Sequence, residues 1–595
     1  MLNTFDWQAG DHASYALGDG ELAVRLARGS KSVAIDIETA GLGIDAFEIK
    51  AVSIGSTECA VVLDPTEAGQ RLAIKDAVAQ ASGLDLHNAP FDVPSLVGNG
   101  LMQLGAIGKV HDTLVSARLA HPGERVSKGL GDCCSRYLGG HYSIWKASLE
   151  KGFRAATKKT KAQMFRELGL SSPAYVAYSA FDVIMTARLA EIMPGAIDER
   201  ISSSPALAPA DPVYLDEREQ TINRMLLHRM SVGIEIDLDV VDQLKAEMWA
   251  VVTRADRQLA SWGVDIELSR ELIKRDAVRV LDEIGVLGPR WPRVQSGAPS
   301  VDKRYLERIS HPIADALKLR SQADRFASDY ADKLVALARH DGRIHPQVGV
   351  LAAVSGRMSV NDPPLQQFPP SVRRMMRFDE PVTSLDWASI EPVFFANAVG
   401  EHALVAEFEA GRDLYMPVAE AAGVPRKTAK VVLLAQLYGQ SVTSLAGALG
   451  RSQDDTAAIV AAVMSKMPRI KQVSARIKNA CSAIGLVQTL SGRVLPVPPD
   501  PKGYSQYRGY MGVNYYVQGS CYDLLAEALY EMHQRGLDDA LGMAVHDELV
   551  VATEAADEIQ EIMITPPAAL IELAGRVPGL RTGRVDMGHH WIEKD

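Results

Sequence analysis

Between Ile201 and Pro212 the chain reads ISSSPALAPADP, a Ser-, Ala- and Pro-rich stretch without hydrophobic periodicity, and it separates two regions of different pattern. Before it, from about Ser32 to Leu189, short apolar or β-branched runs (Val33 to Ile37, Ala51 to Ile54, Ala60 to Leu63) alternate with helical stretches. That alternation predicts an α/β domain. After it, long amphipathic patterns from Glu217 to Arg339 give way to mixed strands and helices that run to the C-terminus. A chain of 595 residues exceeds what one core supports, so domains are expected at 1–205 and 206–595. There is no internal repeat at solenoid periods.

Composition narrows the class. A hydrophobic content of 47% with 23% charged residues describes an ordinary globular protein, not a disordered or fibrous one. The opening residues carry Asp6, Asp11, Asp19 and Glu21 and no apolar segment, and no run is long enough to span a bilayer. The expected location is therefore cytoplasmic, away from the membrane. The five cysteines form no C-x-x-C pair, so neither a disulfide frame nor a structural metal is implied. The formal charge of −11 sums the whole surface, whereas phosphate contacts need only a local basic groove. Such a groove has a candidate between Arg254 and Lys333, where Arg270, Lys274, Arg275, Arg279, Arg290, Arg293, Lys303, Arg304, Arg308, Lys318, Arg320 and Arg325 fall with fewer compensating acids than elsewhere in the chain. A solvated helical surface is the alternative reading.

In SVAIDIET the apolar residues build a strand, and Asp36 and Glu38, two apart, project from one face near its end. This is a metal-ligand arrangement, although a merely solvated acidic pair is common. Two further patterns accompany it: Asn88-Ala-Pro-Phe-Asp92, and Tyr178-Ser-Ala-Phe-Asp182 at the opening of an apolar helix. Together they resemble the three exonuclease motifs of the DEDD nucleases, in the subclass with tyrosine in its third motif. HDTLVSARLA from His111 and KGLGDCCSRYLG from Lys128 resemble that family's spacer segments, so the resemblance covers about residues 30 to 190. It implies a ribonuclease H-like α/β domain with 3′→5′ exonuclease activity. Four carboxylates converging on a small volume would repel one another unless divalent cations neutralised them. Asp36, Glu38, Asp92 and Asp182 are thus the implied ligands of two Mg²⁺ ions on the order of 4 Å apart. Tyr178, one helical turn before Asp182, would orient the attacking water.

Four ordered patterns follow in the C-terminal region. They are Ser355-Gly-Arg357 with Asp362-Pro-Pro-Leu-Gln366-Gln-Phe-Pro369; Thr383-Ser-Leu-Asp386-Trp-Ala-Ser-Ile390-Glu391; Pro425-Arg426 through Lys430, Leu434, Tyr438 and Gly439; and Leu541 through His546-Asp547-Glu548. Arg426, Lys430, Leu434 and Tyr438 stand four apart, so one helical face carries all four. The last pattern reads as two strands joined at an acidic turn. In this order the patterns, with Asn514-Tyr-Tyr-Val-Gln518-Gly519 before the last, resemble family A DNA polymerases, the class of bacterial DNA polymerase I. The layout is Klenow-like, and its compact form suits a bacteriophage-type enzyme with no room for a 5′-nuclease.

That resemblance implies an α+β right hand with a thumb at about 238–345, fingers at about 400–485, and a palm in the remainder. Asp386 and Asp547 are its implied palm metal ligands, with Glu548 as an auxiliary acid and His546 at the primer terminus. Glu391 is the implied steric gate against a ribose 2′-OH. Arg426 and Lys430 would clamp the triphosphate, with Leu434 where the family has an aromatic residue and Tyr438 closing over the template base. A lysine among Val431, Val432, Leu433 and Leu434 would be costly to bury unpaired, which favours a phosphate partner. Arg357, Asn514 and Gln518 are the implied DNA contacts. Three departures stand out: Pro392-Val393 where Leu-Arg is usual, Leu434, and Gly509-Tyr510 where Glu-Arg is usual.

The activity so implied is DNA synthesis from dNTPs on a primed DNA template, with proofreading, by a monomer with two Mg²⁺ ions per active site and Mn²⁺ as a substitute. Helicase, primase or single-strand binding protein partners are not identifiable from the sequence. Three rivals are weighed against it: a single-subunit RNA polymerase, opposed by Glu391 and the exonuclease motifs; a primer-binding protein with decayed acids, opposed by the presence of every acid; and a nuclease with a silent polymerase half.

Overall fold

The computed structural model describes residues 2–8, 11–123, 127–140, 142, 147, 151, 163, 166–306 and 309–592. Its contacts separate two units, one of Met1–Gly233, His345–Gln367 and Glu380–Gly588, the other of Ile234–Ile344, Phe368–Asp379 and His589–Asp595.

The N-terminal part of the first unit is a seven-stranded mixed sheet. Its strands are β1 (Asn3–Gln8), β2 (Asp11–Leu17), β3 (Val33–Thr39), β4 (Ile49–Gly55), β5 (Cys59–Leu63), β6 (Leu84–Leu86) and β7 (Val110–Asp112), in the order β1-β2-β5-β4-β3-β6-β7. β3 lies between β4, to which it is antiparallel, and β6, to which it is parallel. Being central, it is buried along almost its whole length, which explains why its sequence is nearly continuous in apolar residues apart from the acids. The helices are α1 (Gly20–Gly29), α2 (Ala68–Gln80), α3 (Ala89–Gly98), α4 (Thr113–Ala120), α5 (Leu130–Tyr137) and α6 (Pro173–Ile201).

α6 packs on β3, β4 and β5. Its Tyr175, Phe181, Val183 and Ile184 form a core with Ala34, Ala51 and Val62 of the strands. Gly55 permits this close approach, because a Cβ there would lie 2.9 Å from Val183 Cγ2. The helix begins earlier than the sequence pattern suggests: Pro173 occupies its first turn and the Ser172 hydroxyl caps it, so Tyr178 sits in the second turn, not at the opening.

Ser202 to Asp211 forms no helix or strand, and α7 (Pro212–Val232) follows, capped by Asp211. Arg218, Glu219 and Gln220 of α7 are all buried. Gln220 accepts from Asp112 N–H at 2.9 Å and donates to Ser116 Oγ at 3.0 Å.

In the second unit, α8 (Leu238–Ser261), α9 (Arg270–Glu283) and α10 (Pro312–Arg325) surround a core that includes Leu259, Ile273, Leu281 and Ile313, and β8 (Ile234–Ile236) pairs with β9 (Arg343–Ile344). Here the basic run is partly neutralised. Arg279 pairs with Asp276 and Glu283, Arg293 with Asp282, and Arg320 with Asp256 and Asp324. Lys274, Lys318 and Arg325 make no ion pair among the described residues. Arg308 lies outside the described residues, as do the side chains of Lys303 and Arg304.

The rest of the first unit holds an antiparallel sheet and a set of helices. β10 (Met376–Trp387) pairs along Val382 to Asp386 with β12 (Glu548–Ala552), and β12 pairs with β11 (Leu541–Val545). The helices used below are α11 (Ile390–Val399), α12 (Arg426–Leu437) and α13 (Tyr510–Gln534). This mixed α/β sheet domain followed by an antiparallel sheet with helices agrees with the fold expected from the motifs. Cys133, Cys134, Cys481 and Cys521 are buried free thiols, and Cys59 is partly exposed. No helix among the described residues is long and apolar enough to cross a membrane.

Candidate functional sites

The first site is built on β3. Asp36 and Glu38 share one face of the strand, and α6 brings Asp182 over it. One carboxylate oxygen from each of the three lies within 4.8 Å of the others. Glu38 and Asp182 are 9% and 7% exposed, so their charges are poorly screened, and a divalent cation fits the donor set. Asp92, in the first turn of α3 and 3% exposed, is not one of that trio. Its carboxylate accepts from Ile37 N–H at 3.3 Å. Burial first, then the charge of Asp36, holds the Asp92 carboxyl well above the usual carboxylate range, with Asp112 and Glu38 adding to the effect and the Ile37 bond opposing it. Tyr178 is 5% exposed on α6, one turn before Asp182.

Two positioning residues were not singled out in the sequence. The single Ser179 hydroxyl hydrogen has two acceptors in reach, Glu38 Oε1 at 3.3 Å and Tyr175 O at 3.1 Å; its place inside the Tyr178–Asp182 pattern was the available signal. Asp112 accepts from Asn88 N–H and Ala89 N–H at 2.9 and 3.0 Å and from Leu114 N–H at 2.9 Å. It thereby satisfies the start of α3, which carries Asp92, and of α4. Asn88 takes a left-handed conformation, φ 78°, which turns the chain from β6 into α3.

The second site lies at the ends of β10, β11 and β12. Asp386 is exposed at the end of β10, directly opposite Glu548 in register. His546 and Asp547 form the two-residue turn between β11 and β12, with His546 left-handed at φ 57°. Trp387 N–H approaches Asp547 O at 3.5 Å, which brings the two aspartate-bearing backbone segments together. Glu548 accepts from Ser384 Oγ at 2.7 Å. Ser384, two residues before Asp386 on the same face of β10, was not anticipated.

Glu391, in the first turn of α11 and 7% exposed, is the hub of this region. One of its oxygens pairs with Arg357 and the other accepts from the Tyr438 hydroxyl. Gln518 on α13 lies close enough to the Tyr438 hydroxyl to act on its ionisation. Burial, together with the charge of Glu391 and the bond to it, pushes the Tyr438 hydroxyl above its usual range, outweighing Arg357 and Gln518. Asn514, one turn before Gln518 on α13, leaves its buried Oδ1 without a hydrogen-bond partner among the described residues.

On α12 the structure revises two details. The helix ends at Leu437, so Tyr438 is its C-terminal cap residue and not a fourth helical position. Lys430 is exposed, not buried among its apolar neighbours, so the cost of burying it gives no ground for a phosphate partner. Both cations instead lie over one ring: Arg426 Cζ is 5.2 Å and Lys430 Nζ 5.8 Å from the centroid of buried Tyr415. Arg426 also pairs with Asp413. Leu434 is half-buried on the same helix. Asp413 and Tyr415 carried no signal in the sequence.

Comparison with known proteins identifies the families of the two parts of the chain. Residues 279–587 match the sequence model of DNA polymerase family A, and residues 20–197 match that of a 3′-5′ exonuclease. The DNA polymerase of Mycobacterium phage L5 is 27% identical over 545 residues, covering 88% of this chain and 87% of the relative. DNA polymerase I of Chloroflexus aurantiacus is 28% identical over 510 residues, covering 80% of this chain and 51% of the longer relative. Among solved structures, the POL domain of Pol1 from M. smegmatis, in complex with DNA primer-template and dNTP, superposes with a TM-score of 0.69 at 21% identity over 97% of this chain and 99% of that one; this likeness speaks to the fold. Since the family A match spans more than half of the 595 residues, the chain belongs to DNA polymerase family A, joined to a 3′-5′ exonuclease domain at its N-terminal side.

Proposed function

We propose that this DNA polymerase replicates DNA by extending a primer from dNTPs at Asp386 and Asp547, and removes mispaired 3′ ends at Asp36, Glu38, Asp92 and Asp182. The observation that carries the reading is the presence in one chain of two separate sets of acids, the trio Asp36, Glu38 and Asp182 within 4.8 Å, and Asp386 opposite Glu548 in register with the Asp547 backbone brought alongside. Mg²⁺ bound at each would neutralise the clustered carboxylates, lower the pKa of the attacking oxygen and stabilise the leaving one.

The protein's own groups do the rest. Asp386 presents its carboxylate from the antiparallel sheet and Asp547 from the tight turn between two of its strands, which suits the positioning demanded by in-line phosphoryl transfer. Arg426 and Lys430, exposed on α12, supply positive charge for the triphosphate once Arg426 leaves Asp413. Glu391, held by Arg357 and Tyr438, fills the space a ribose 2′-OH would take, so deoxynucleotides are preferred. Arg357, Asn514, Gln518 and His546 contact the primer-template, and Tyr178 orients the water for excision. The thumb corresponds to about 238–345 and the fingers to about 400–485. The DNA primer-template and dNTP bound by M. smegmatis Pol1 are in keeping with these substrates, and the phage L5 relative is in keeping with a bacteriophage-type replicase.

The test is primer extension on a primed DNA template with Mg²⁺, run with all four dNTPs, all four NTPs, or no nucleotide. Growth with dNTPs alone and shortening without nucleotide support both sites and the gate. Shortening without growth under any condition would overturn the polymerase reading and leave a nuclease.

A further inference from the structure

Arg493 is 2% exposed, yet it is neither an acid ligand nor a surface cation, and no motif discussed above contains it. Its Nε bonds Asp523 of α13 at 2.7 Å, and its Nη2 donates to two backbone carbonyls, Gly519 O at 2.8 Å and Ser355 O at 3.2 Å. The guanidinium also lies over the Tyr522 ring at 4.9 Å. The two carbonyls belong to segments far apart in sequence. Ser355 lies two residues before Arg357, and Gly519 immediately follows Gln518.

The fit is tight on the Ser355 side. Gly356 adopts φ +92°, and a Cβ there would stand 2.0 Å from Arg493 Nη1, so glycine is required for the guanidinium to sit where it does. Asp523 is itself held by Ser491 N–H at 2.9 Å and by fully buried Arg218 of α7 at 3.4 Å. A long side chain with this many partners has little freedom left. It behaves as a fixed spacer between the turn that presents Arg357 and the turn of α13 that presents Gln518.

Those two residues face one pair of groups: Arg357 pairs with the Glu391 carboxylate, and Gln518 lies beside the Tyr438 hydroxyl, which donates to the same carboxylate. We propose that Arg493 is a positioning residue for nucleotide selection, setting the separation of Arg357 and Gln518 and through them the placement of Glu391 and Tyr438. The inference rests on the reading of Glu391 as the sugar gate. A lysine at 493 keeps the charge beside Asp523 but cannot bond Asp523 and both carbonyls in the same fixed plane.

The experiment uses the full chain carrying Arg493→Lys, with Glu391→Ala and the double variant in parallel. It measures kcat and KM for single dNTP and rNTP additions to a primed template, and excision of an unpaired 3′ end. For Arg493→Lys the dNTP-over-rNTP selectivity should fall on the order of tenfold with excision retained, since a misplaced supporting group loosens the groups it holds. The double variant should be no less selective than Glu391→Ala alone. Unchanged selectivity in Arg493→Lys, with Glu391→Ala relaxed, would overturn the Arg493 role and leave the gate standing. Unchanged selectivity in Glu391→Ala would instead overturn the gate. If Arg493→Lys loses excision as well, Asp523→Asn, which keeps Arg493 but weakens its anchor, takes its place; retained selectivity in that variant counts against the proposal, and a fall supports it.

Discussion

Tyr438, capping the end of α12, donates its hydroxyl hydrogen to the Glu391 carboxylate in the first turn of α11, so the helix carrying Arg426 and Lys430 is tied to the residue read as the sugar gate. Arg357 pairs with the other oxygen of the same carboxylate. Replacing Glu391 by Ala removes the partner of two groups at once, and that of Arg357 is charged. Such a loss costs about 1–3 kcal/mol locally. The expected result is a drop of one to two orders of magnitude in dNTP-over-rNTP selectivity, measured by single-nucleotide incorporation. Tyr438→Phe should give a smaller drop, because the Arg357 pair survives.

The two acidic centres should be separable. Asp36→Ala should lower excision at least about 10³-fold and leave extension intact, and Asp547→Ala should do the reverse. Parallel gel assays of both activities decide the matter. Loss of both activities in either variant would point to one shared site or a folding failure.

Clustering of Asp36, Glu38 and Asp182 within 4.8 Å predicts that Mg²⁺ stabilises the N-terminal domain. Thermal unfolding should shift upward on adding Mg²⁺ and back with a chelator, and the shift should shrink in Asp182→Asn. An equal shift in the variant would show that the ion acts elsewhere.

Ser179 bonds Glu38 and thereby orients one of the candidate ligands. Ser179→Ala should reduce excision by roughly tenfold, the range seen when a ligand loses its supporting partner, while extension on the same template is unaffected. Excision at the parental rate would show that Glu38 is oriented without it.

His111 offers a pH signature. Burial alone would push its pKa down. The hydrogen bond to Asp85, at 3.1 Å, and the charges of Asp216, Asp85 and Asp112 outweigh burial and hold it above the usual value. A histidine raised in the folded state contributes stability that is fully present below its unfolded value of about 6.5 and is lost as pH rises through the folded value. His111→Asn should therefore cost more stability at about pH 6 than at about pH 9, as read from melting temperatures. A cost independent of pH would contradict the ion pair with Asp85.

The kinds of groups and the order in which they occur are written in the chain itself. Asp36 and Glu38 two apart on a strand, the Tyr178–Asp182 pattern on a helix, and His546-Asp547 between two β-rich runs were legible because helix and strand periodicities are local. Family resemblance assigned them roles. Packing of the folded chain settles instead which partners remote in sequence meet. It placed Asp92 against Ile37 N–H outside the close trio, laid Arg426 and Lys430 over Tyr415, and left Lys430 exposed although its sequence neighbours are apolar. It also joined Ser355 and Gly519 through Arg493. A side chain's burial and hydrogen-bond partners depend on which distant elements pack against its own, and no local pattern records that choice.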